Sequence, residues 1–147
     1  RGFTADDFAE SHPGGSLGKN LLIKIKDIMR INNSIPKVTP QSSLKDAIII
    51  ITEKKVGFTA VIDEKNKPIG ILTDGDLRRA LIENKTITSS VSDCMTKNPI
   101  VLKSTQLAID AVNIMEKSKV NSFLVVSEEA ELIGIINLHD LLKAKVI

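Results

Sequence analysis

The stretch DAIIIITEKKVGFTAVIDEKNKPIGILTDGDL (residues 46–77) returns 64 residues later as DAVNIMEKSKVNSFLVVSEEAELIGIINLHDL (residues 110–141). Twelve of the 32 aligned positions are identical, whereas roughly two matches are expected from ordinary residue frequencies. The correspondence continues upstream, where KDIM (26–29) matches SDCM (92–95) and IPKV (35–38) matches NPIV (98–101). An internal repeat of this length indicates two copies of one supersecondary unit.

The spacing of apolar residues gives the order of elements in each unit. Each copy begins with a short strand and then has apolar residues at helical spacing, namely Leu44, Ala47, Ile48 and Ile51 in the first copy and Leu107, Ala111, Ile114 and Met115 in the second. Short apolar runs rich in β-branched residues follow and predict two strands per copy, at 59–62 and 69–72, then at 123–126 and 133–136. A closing helix is predicted at 76–83 and at 140–146.

The predicted fold is therefore α/β (α+β), with the order β-α-β-β-α occurring twice. A unit of about 60 residues buries too little of its surface to be more than marginally stable, so we expect the two units to pack sheet to sheet with pseudo-twofold symmetry. The predicted boundaries are a leading segment at 1–23, a first repeat at 24–84 and a second at 90–147.

Composition excludes several classes of function. The net charge of the 147 residues is +2, and the chain has four Phe but no Trp or Tyr, which argues against nucleic-acid binding. One Cys and two His make a structural zinc site improbable. No apolar run approaches the roughly 20 residues of a membrane span. The chain starts at Arg1 without a signal-peptide pattern, and we expect it to be a fragment of a longer cytoplasmic protein.

The chemistry is predicted to lie where a strand passes through glycine into the closing helix, in GILTDGDL (70–77) and GIINLHDL (134–141). The N–H groups of a helix N-terminus suit a phosphate. Thr73 adds a hydroxyl donor, and Asp76 can accept from both hydroxyls of a ribose. The second copy has Asn137 and Asp140 at these positions. The alternative is helix capping alone, because Thr, Asn and Asp are common caps.

Two copies of this layout, each with G-I-x-[TN]-x-x-D, resemble a tandem CBS-domain pair, also called a Bateman module. The resemblance covers about residues 24–147. It implies clefts between the repeats that bind adenosine or other nucleotides and regulate an attached enzyme or channel. The implied surroundings of the base are Val38, Thr39, Phe58, Thr59, Ile100, Val101, Ser122 and Phe123. Asn137 and the bulkier Leu138-His139 depart from the family pattern in the second copy.

The stretch SHPGGSLGK (11–19) is not a phosphate-binding loop of the type G-x-x-x-x-G-K-[ST]. Pro13 stands where the first glycine is needed, and Asn20 follows Lys19 in place of a hydroxyl residue. Residues 1–22 instead resemble the junction of D-arabinose 5-phosphate isomerases, which join a sugar-isomerase (SIS) domain to a CBS pair. The resemblance implies that His12 belongs to the isomerase active site of the parent enzyme. We expect the fragment itself to be inactive.

Two functions remain open from the sequence. The first is a regulatory module of that isomerase, which interconverts ribulose 5-phosphate and arabinose 5-phosphate for Kdo and lipopolysaccharide synthesis. The expected effector is CMP-Kdo, AMP or ATP, and no cofactor or metal is required. The alternative is a purely structural dimerisation module with empty clefts. The resemblance implies partnership with the SIS domain, a homodimer through CBS pairs and a homotetrameric parent.

Overall fold

A computed structural model of the chain describes residues 22–146. The first half of the chain contains α1 (Ile25–Ile28), β1 (Lys37–Val38), α2 (Leu44–Lys54), β2 (Phe58–Ile62), β3 (Pro68–Thr73) and α3 (Asp74–Ile82). The second half contains β4 (Thr96–Lys97), β5 (Val101–Lys103), α4 (Ala108–Ser118), β6 (Ser122–Val126), β7 (Leu132–Asn137) and α5 (Leu138–Lys143). Short 3-10 turns precede β1 and β4, at Asn32–Ser34 and Val91–Asp93.

Local sequence explains the bounds of the first long helix, α2. The Ser43 hydroxyl accepts from the Asp46 N–H at 3.1 Å, and the Asp46 carboxylate accepts from the Ser43 N–H at 3.4 Å, which is a reciprocal cap. The helix ends at Lys55, whose φ of 59° is left-handed. Helix α4 ends in the same way at Lys119, with φ of 61°.

The strands form two sheets that repeat one pairing pattern. One sheet has the order β1-β2-β3-β4 and the other β5-β6-β7. In each, the short strand before the long helix runs parallel to the next strand, and the following hairpin is antiparallel. The predicted β-α-β-β-α order and the α/β class are therefore confirmed.

The two sheets pack against each other through one apolar cluster. Phe58, Ala60 and Ile71 from the first sheet meet residues of the second sheet, Leu124, Leu132 and Ile135. Phe58, Ala60 and Leu124 are at most 1% exposed. Helices α2 and α3 cover the outer side of the first sheet, and α1, α4 and α5 contribute to the core of the second. The expected sheet-to-sheet packing is thus present.

The beginning of each repeat crosses to the other half of the molecule. The Arg30 N–H donates to the Ile135 carbonyl at 2.9 Å, and the Ile135 N–H donates to the Arg30 carbonyl at 3.1 Å. At the pseudo-twofold equivalent of this contact, β4 pairs with β3, and Thr96 is the partner of Ile71. Arg30 and Thr96 are therefore structural counterparts, and each brings a side chain from one repeat to the closing helix of the other.

Glycine makes both crossings possible. A Cβ on Gly134 would lie 2.5 Å from the Met29 sulfur and 3.1 Å from the Arg30 carbonyl oxygen. A Cβ on Gly70 would collide with the Met95 sulfur in the same manner. The segment that crosses from the other repeat packs directly on the Cα of this glycine, so a larger residue there would force the methionine to move.

Candidate functional site

The start of α3 is built by a reciprocal cap between Thr73 and Asp76. The Thr73 N–H donates to Asp76 Oδ2 at 2.8 Å, and the Thr73 hydroxyl donates to the same oxygen at 3.1 Å. The Asp76 N–H donates to Thr73 Oγ1 at 3.3 Å. Capping, the alternative weighed from the sequence, therefore occurs. It leaves Asp76 Oδ1 for other groups.

Two further side chains engage this remaining oxygen. The Thr96 hydroxyl, delivered by the exchanged strand β4, donates to Asp76 Oδ1 at 2.7 Å. The Arg79 guanidinium, one helical turn after Asp76, pairs with the same atom. Asp76 is consequently 1% exposed, whereas the Arg79 side chain is 63% exposed. Asp76 Oδ1 is therefore contacted by one hydroxyl and by one cation that projects largely into solvent.

A cavity of about 680 Å³ opens beside this cluster. Its wall combines the first turns of α3 with two segments of the second repeat, one before β5 and one before β6. The lining residues are Gly57, Ile71, Thr73, Asp74, Gly75, Asp76, Arg78, Arg79, Thr96, Asn98, Pro99, Ile100, Lys119, Val120, Asn121 and Ser122. Because both repeats contribute, a ligand in this cavity would contact both halves of the molecule.

The charges around the cavity are unevenly distributed. Three cationic side chains line it, on Arg78, Arg79 and Lys119, against the carboxylates of Asp74 and Asp76. The N–H groups at the start of α3 add partial positive charge. Val120, Pro99 and Ile71 form an apolar part of the wall. This combination of cationic and apolar lining suits an amphiphilic anion such as a nucleotide.

The second copy of the motif has the same cap and a different cover. The Asn137 N–H donates to Asp140 Oδ2 and the Asp140 N–H donates to Asn137 Oδ1, both at 3.0 Å. Arg30 binds the carboxylate of Asp140 through two nitrogens: Nε donates to both oxygens, at 3.0 and 3.3 Å, and Nη2 forms an ion pair with Oδ1 at 3.0 Å. The Asp140 side chain is 10% exposed.

The residues singled out from the sequence fall into two groups. Thr73, Asp76, Ile100 and Ser122 line the large cavity together, while Asp140 lines a separate cavity. Phe58, Thr59 and Phe123 are at most 1% exposed and lie in the core, and Val38 is also buried. Thr39 lines a surface groove beside Ile62–Lys65, and Val101 is 43% exposed. The structure does not bring these six residues into the large cavity.

Sequence reasoning missed the side chains that cover the two carboxylates. Arg79 stands three residues after Asp76, a spacing that places it on the same face of the helix, so this pair could have been predicted from the sequence. The contacts of Thr96 and Arg30 were harder to predict, because Arg30 is 110 residues from its partner Asp140. The only available signal was their shared position immediately after the repeated methionine, in KDIM-R and SDCM-T.

Several other expectations concern the rest of the chain. His12 and residues 1–21 lie outside the described residues. Between residues 22 and 146, no cluster of three or more His, Cys, Asp and Glu side chains is arranged to hold a metal ion. Over the same residues, no helix has the length and apolar character needed to cross a membrane.

Comparison with known proteins relates the chain to curated enzymes. It is 43% identical over its whole length to arabinose 5-phosphate isomerase KdsD from Yersinia pestis. It is 44% identical over 99% of its length to the protein of the same name from Pseudomonas aeruginosa. The chain spans about half of these relatives, since the match covers 45% of each of them.

The fold and the repeat have independent matches. The crystal structure of CBSX2 in complex with AMP superposes with a TM-score of 0.73 at 28% identity, over 84% of this chain and 96% of that one. The family model of the CBS domain matches twice, at residues 25–83 and 91–147. The repeat seen in the sequence and the paired sheets of the structure have one explanation: the chain belongs to the CBS domain family and carries two CBS domains in tandem.

Proposed function

We propose that the chain is the regulatory nucleotide-binding module of an arabinose 5-phosphate isomerase. The observation that carries the proposal is the cavity shared by the two repeats, which is lined by Thr73 and Asp76, by cationic side chains and by an apolar part of the wall. The whole-length similarity to isomerases supports the parent enzyme. The AMP complex of a 28% identical CBS protein supports the ligand class.

The groups in the cavity match the parts of a nucleoside monophosphate. The Asp76 carboxylate accepts from the ribose hydroxyls. The Thr73 hydroxyl, which donates to Asp76 Oδ2 in this structure, turns to the phosphate, to which the N–H groups of α3 also donate. Arg78 and Lys119 supply positive charge near that phosphate. The base lies against the apolar wall that contains Pro99 and Val120. This assignment uses two site residues of the sequence prediction, Thr73 and Asp76, and extends it to the cations.

Arg79 must release Asp76 for the ribose to bind. The guanidinium is 63% exposed and is rehydrated when it leaves, while the ribose hydroxyls replace it as donors to the buried carboxylate. In the bound state the freed guanidinium can pair with the phosphate. Arg79 therefore exchanges one anionic partner for another when the ligand enters.

Regulation is possible because both repeats line the cavity. A ligand that contacts α3 of the first repeat and the segment before β6 of the second stabilises one arrangement of the two repeats. If the attached isomerase domain prefers the same arrangement, the two binding equilibria are coupled. CMP-Kdo satisfies the same contacts as AMP because it contains a ribose and a phosphate.

The wider organisation is part of the proposal. The chain is divided into a leading segment at 1–23 and CBS repeats at 24–84 and 90–147. The CBS pair is the partner of a sugar-isomerase domain in a cytoplasmic parent enzyme. In that parent His12 serves the aldose–ketose isomerisation, and pairs of CBS modules form the dimer contacts of a homotetramer.

Thermal unfolding in the presence of AMP, ATP, CMP and CMP-Kdo tests the ligand proposal. A ligand at 100 times its Kd is expected to stabilise the folded state by about 2.7 kcal/mol. Thr73→Val removes the hydroxyl and should weaken the effect. Thr105→Val, at an exposed threonine outside the cavity, serves as the matched control. Unchanged melting temperatures with all four compounds would contradict nucleotide binding.

The second candidate is a structural dimerisation module. It is favoured by exposed apolar side chains on the outer helices, with Ile48 and Ile49 on α2 and Leu81 and Ile82 on α3 between 41% and 80% exposed. Sedimentation equilibrium distinguishes the candidates when combined with the melting experiment. A dimer that responds to no nucleotide supports the structural role alone, and a nucleotide response supports the regulatory role.

A further inference from the structure

The two pseudo-equivalent clefts are built from different side chains. The pairing of Thr96 with Ile71 and of Arg30 with Ile135 makes Thr96 and Arg30 counterparts. The shift of 64 residues makes Asp76 and Asp140 counterparts. One carboxylate therefore receives a hydroxyl from the other repeat, and the other receives a guanidinium.

Arg30 is more enclosed on Asp140 than Arg79 is on Asp76, since its side chain is 28% exposed and that of Arg79 is 63% exposed. The Arg30 backbone is fixed by two hydrogen bonds to Ile135, at 2.9 and 3.1 Å. Its Nε donates to both carboxylate oxygens, and its Nη2 adds an ion pair with Oδ1. Hydrogen bonds between charged groups are stronger than those between neutral groups. A ribose that approached Asp140 would have to displace them from a fixed backbone.

Apolar side chains fill the second cleft where polar ones line the first. Asn98 and Ser122 line the large cavity. Their counterparts in the repeat alignment are Ile35 and Phe58, which are 7% and 1% exposed and pack in one cluster with Val56. The space that a base would occupy is therefore taken by protein atoms.

The cavity beside Asp140 has a different lining from the large cavity. Its volume is about 530 Å³, and it is lined by Ile28, Arg30, Ser34, His139, Asp140, Lys143 and Ala144. These residues come only from the exchanged N-terminal segment and from α5 and its end. Neither Asn137 nor any residue of 55–58 contributes to the wall. Its apolar lining residues are Ile28 and Ala144, and no residue of the apolar cluster between the two sheets contributes to it.

We infer that the module binds one nucleotide-class ligand per chain, in the Thr73–Asp76 cleft, and that Arg30, Ile35 and Phe58 keep the Asn137–Asp140 cleft closed. The inference rests on the proposed function and adds to it the choice of cleft. Arg30, which comes from the opposite repeat, occupies the position on Asp140 that the ribose of a ligand would need. It is therefore a specificity-determining residue.

Isothermal titration calorimetry of the chain with AMP tests the inference through stoichiometry and two matched variants. We expect one AMP per chain. Asp76→Asn should weaken binding about tenfold or more, because the lost charge-assisted hydrogen bonds are worth about that factor. Asp140→Asn should leave the dissociation constant within about twofold, because its carboxylate is paired with Arg30. Asparagine keeps a side-chain oxygen for the cap in both variants, and circular dichroism checks that both are folded.

A second measurement remains informative if a variant fails to fold. Proton NMR of the wild-type chain follows His139, which lines the Asp140 cavity, together with the amides of Gly75 and Asn121 in the large cavity. AMP should shift the two amides and leave the imidazole unchanged. Two AMP molecules per chain, or a loss of affinity in Asp140→Asn alone, would overturn the choice of cleft while nucleotide binding stands. No heat and no shift with any nucleotide would remove the proposed function and this inference with it.

Discussion

At the scale of single residues, a repeated aspartate has the same local role and different partners in its two copies. Asp76 and Asp140 both cap a helix by hydrogen bonds to the residue three positions earlier. What differs is the group that arrives from the other repeat, Thr96 in one copy and Arg30 in the other. The capping role follows from the spacing of three residues along the chain. Whether the carboxylate can accept from a ligand follows from the side chain that the other repeat supplies.

Cys94, which directly precedes the exchanged segment Met95–Thr96, provides a residue-scale prediction. Burial raises the pKa of the Cys94 thiol, and the nearby Lys85 opposes this less strongly. The thiolate fraction of the folded protein at neutral pH is therefore lower than that of an ordinary cysteine. Alkylation by iodoacetamide should accelerate with a midpoint at higher pH than in the urea-unfolded chain.

The unfolded chain is a clean reference because Cys94 is the only cysteine in the sequence. Mass spectrometry of the alkylated fraction over time gives both rates. A midpoint in the folded protein equal to or below that of the unfolded chain would show that the thiol is not desolvated.

At the scale of elements, the two hairpins use one turn geometry with different residues. Asp63 Oδ1 accepts from the N–H groups of Lys65 and Lys67 at 2.8 and 3.0 Å. These bonds, chiefly the one from Lys67, hold the pKa of Asp63 below its ordinary value. Asn66 takes the left-handed position of this turn with φ of 62°, and Ala130 takes the equivalent position of the second turn with φ of 65°.

Ala130→Gly should stabilise the β6–β7 hairpin. A left-handed conformation costs a non-glycine residue about 1 to 2 kcal/mol, and part of this is offset by the greater entropy of glycine in the unfolded chain. We expect a net gain of about 0.5 to 1 kcal/mol in the free energy of unfolding, measured by urea denaturation.

Glu129→Gly is the control for this prediction, because Glu129 is the exposed neighbour of Ala130 and has no positive φ. It gains only unfolded-state entropy and should lower the free energy of unfolding by up to about 1 kcal/mol. Equal effects of the two substitutions would refute the conformational explanation.

At the scale of the whole molecule, the exchange of segments joins the two repeats into one structure. Ile25 belongs to the first repeat and is fully buried in the core of the second, among Leu102, Phe123 and Leu141. The β4 strand of the second repeat likewise completes the sheet of the first. Neither half has a complete core without a segment of the other, so the pair is expected to unfold in one cooperative transition.

Ile25→Ala tests this cooperativity. Removing three carbons from a fully buried site should cost about 2 to 5 kcal/mol. Ile49→Ala, a chemically identical change at a side chain that is 45% exposed, should stay within about 0.5 kcal/mol. Urea unfolding followed by circular dichroism should show a single transition shifted to lower urea in Ile25→Ala.

A biphasic transition in that variant, with the first repeat persisting after the second has unfolded, would contradict the interdependence of the halves. The wild-type chain and Ile49→Ala serve as the references for the number of phases.

The fold was largely predictable because its information is local. Strand and helix periodicities in the repeated stretch gave the element order, and residues 58–62 and 122–126 form strands within one residue of the predicted positions. The prediction of the buried helix face was less accurate. Ile48 shares the spacing of Leu44, Ala47 and Ile51 and is nevertheless 41% exposed. Periodicity identifies a helix face, but how much of that face a neighbouring sheet covers depends on packing.

The candidate site was only partly predictable for the same reason. Thr73 and Asp76 were found because a cap has a fixed spacing of three residues, and their assignment to a nucleotide remains a prediction. Phe58 and Phe123 were expected beside a base because the resemblance to CBS pairs implied it, and both are core residues. A strand alternates its side chains between two faces, and the face that meets the other sheet is decided by the docking of the sheets.

The sequence by itself determined the two repeats, their element order and the caps of their closing helices, because these depend on residues close together in the chain. The tertiary structure alone decided which aspartate is covered by Thr96 and which by Arg30. That difference arises from a contact between residues 110 positions apart, which exists only after the start of each repeat has crossed to the other half. The unequal clefts of this molecule are thus a consequence of how two similar halves exchange dissimilar segments.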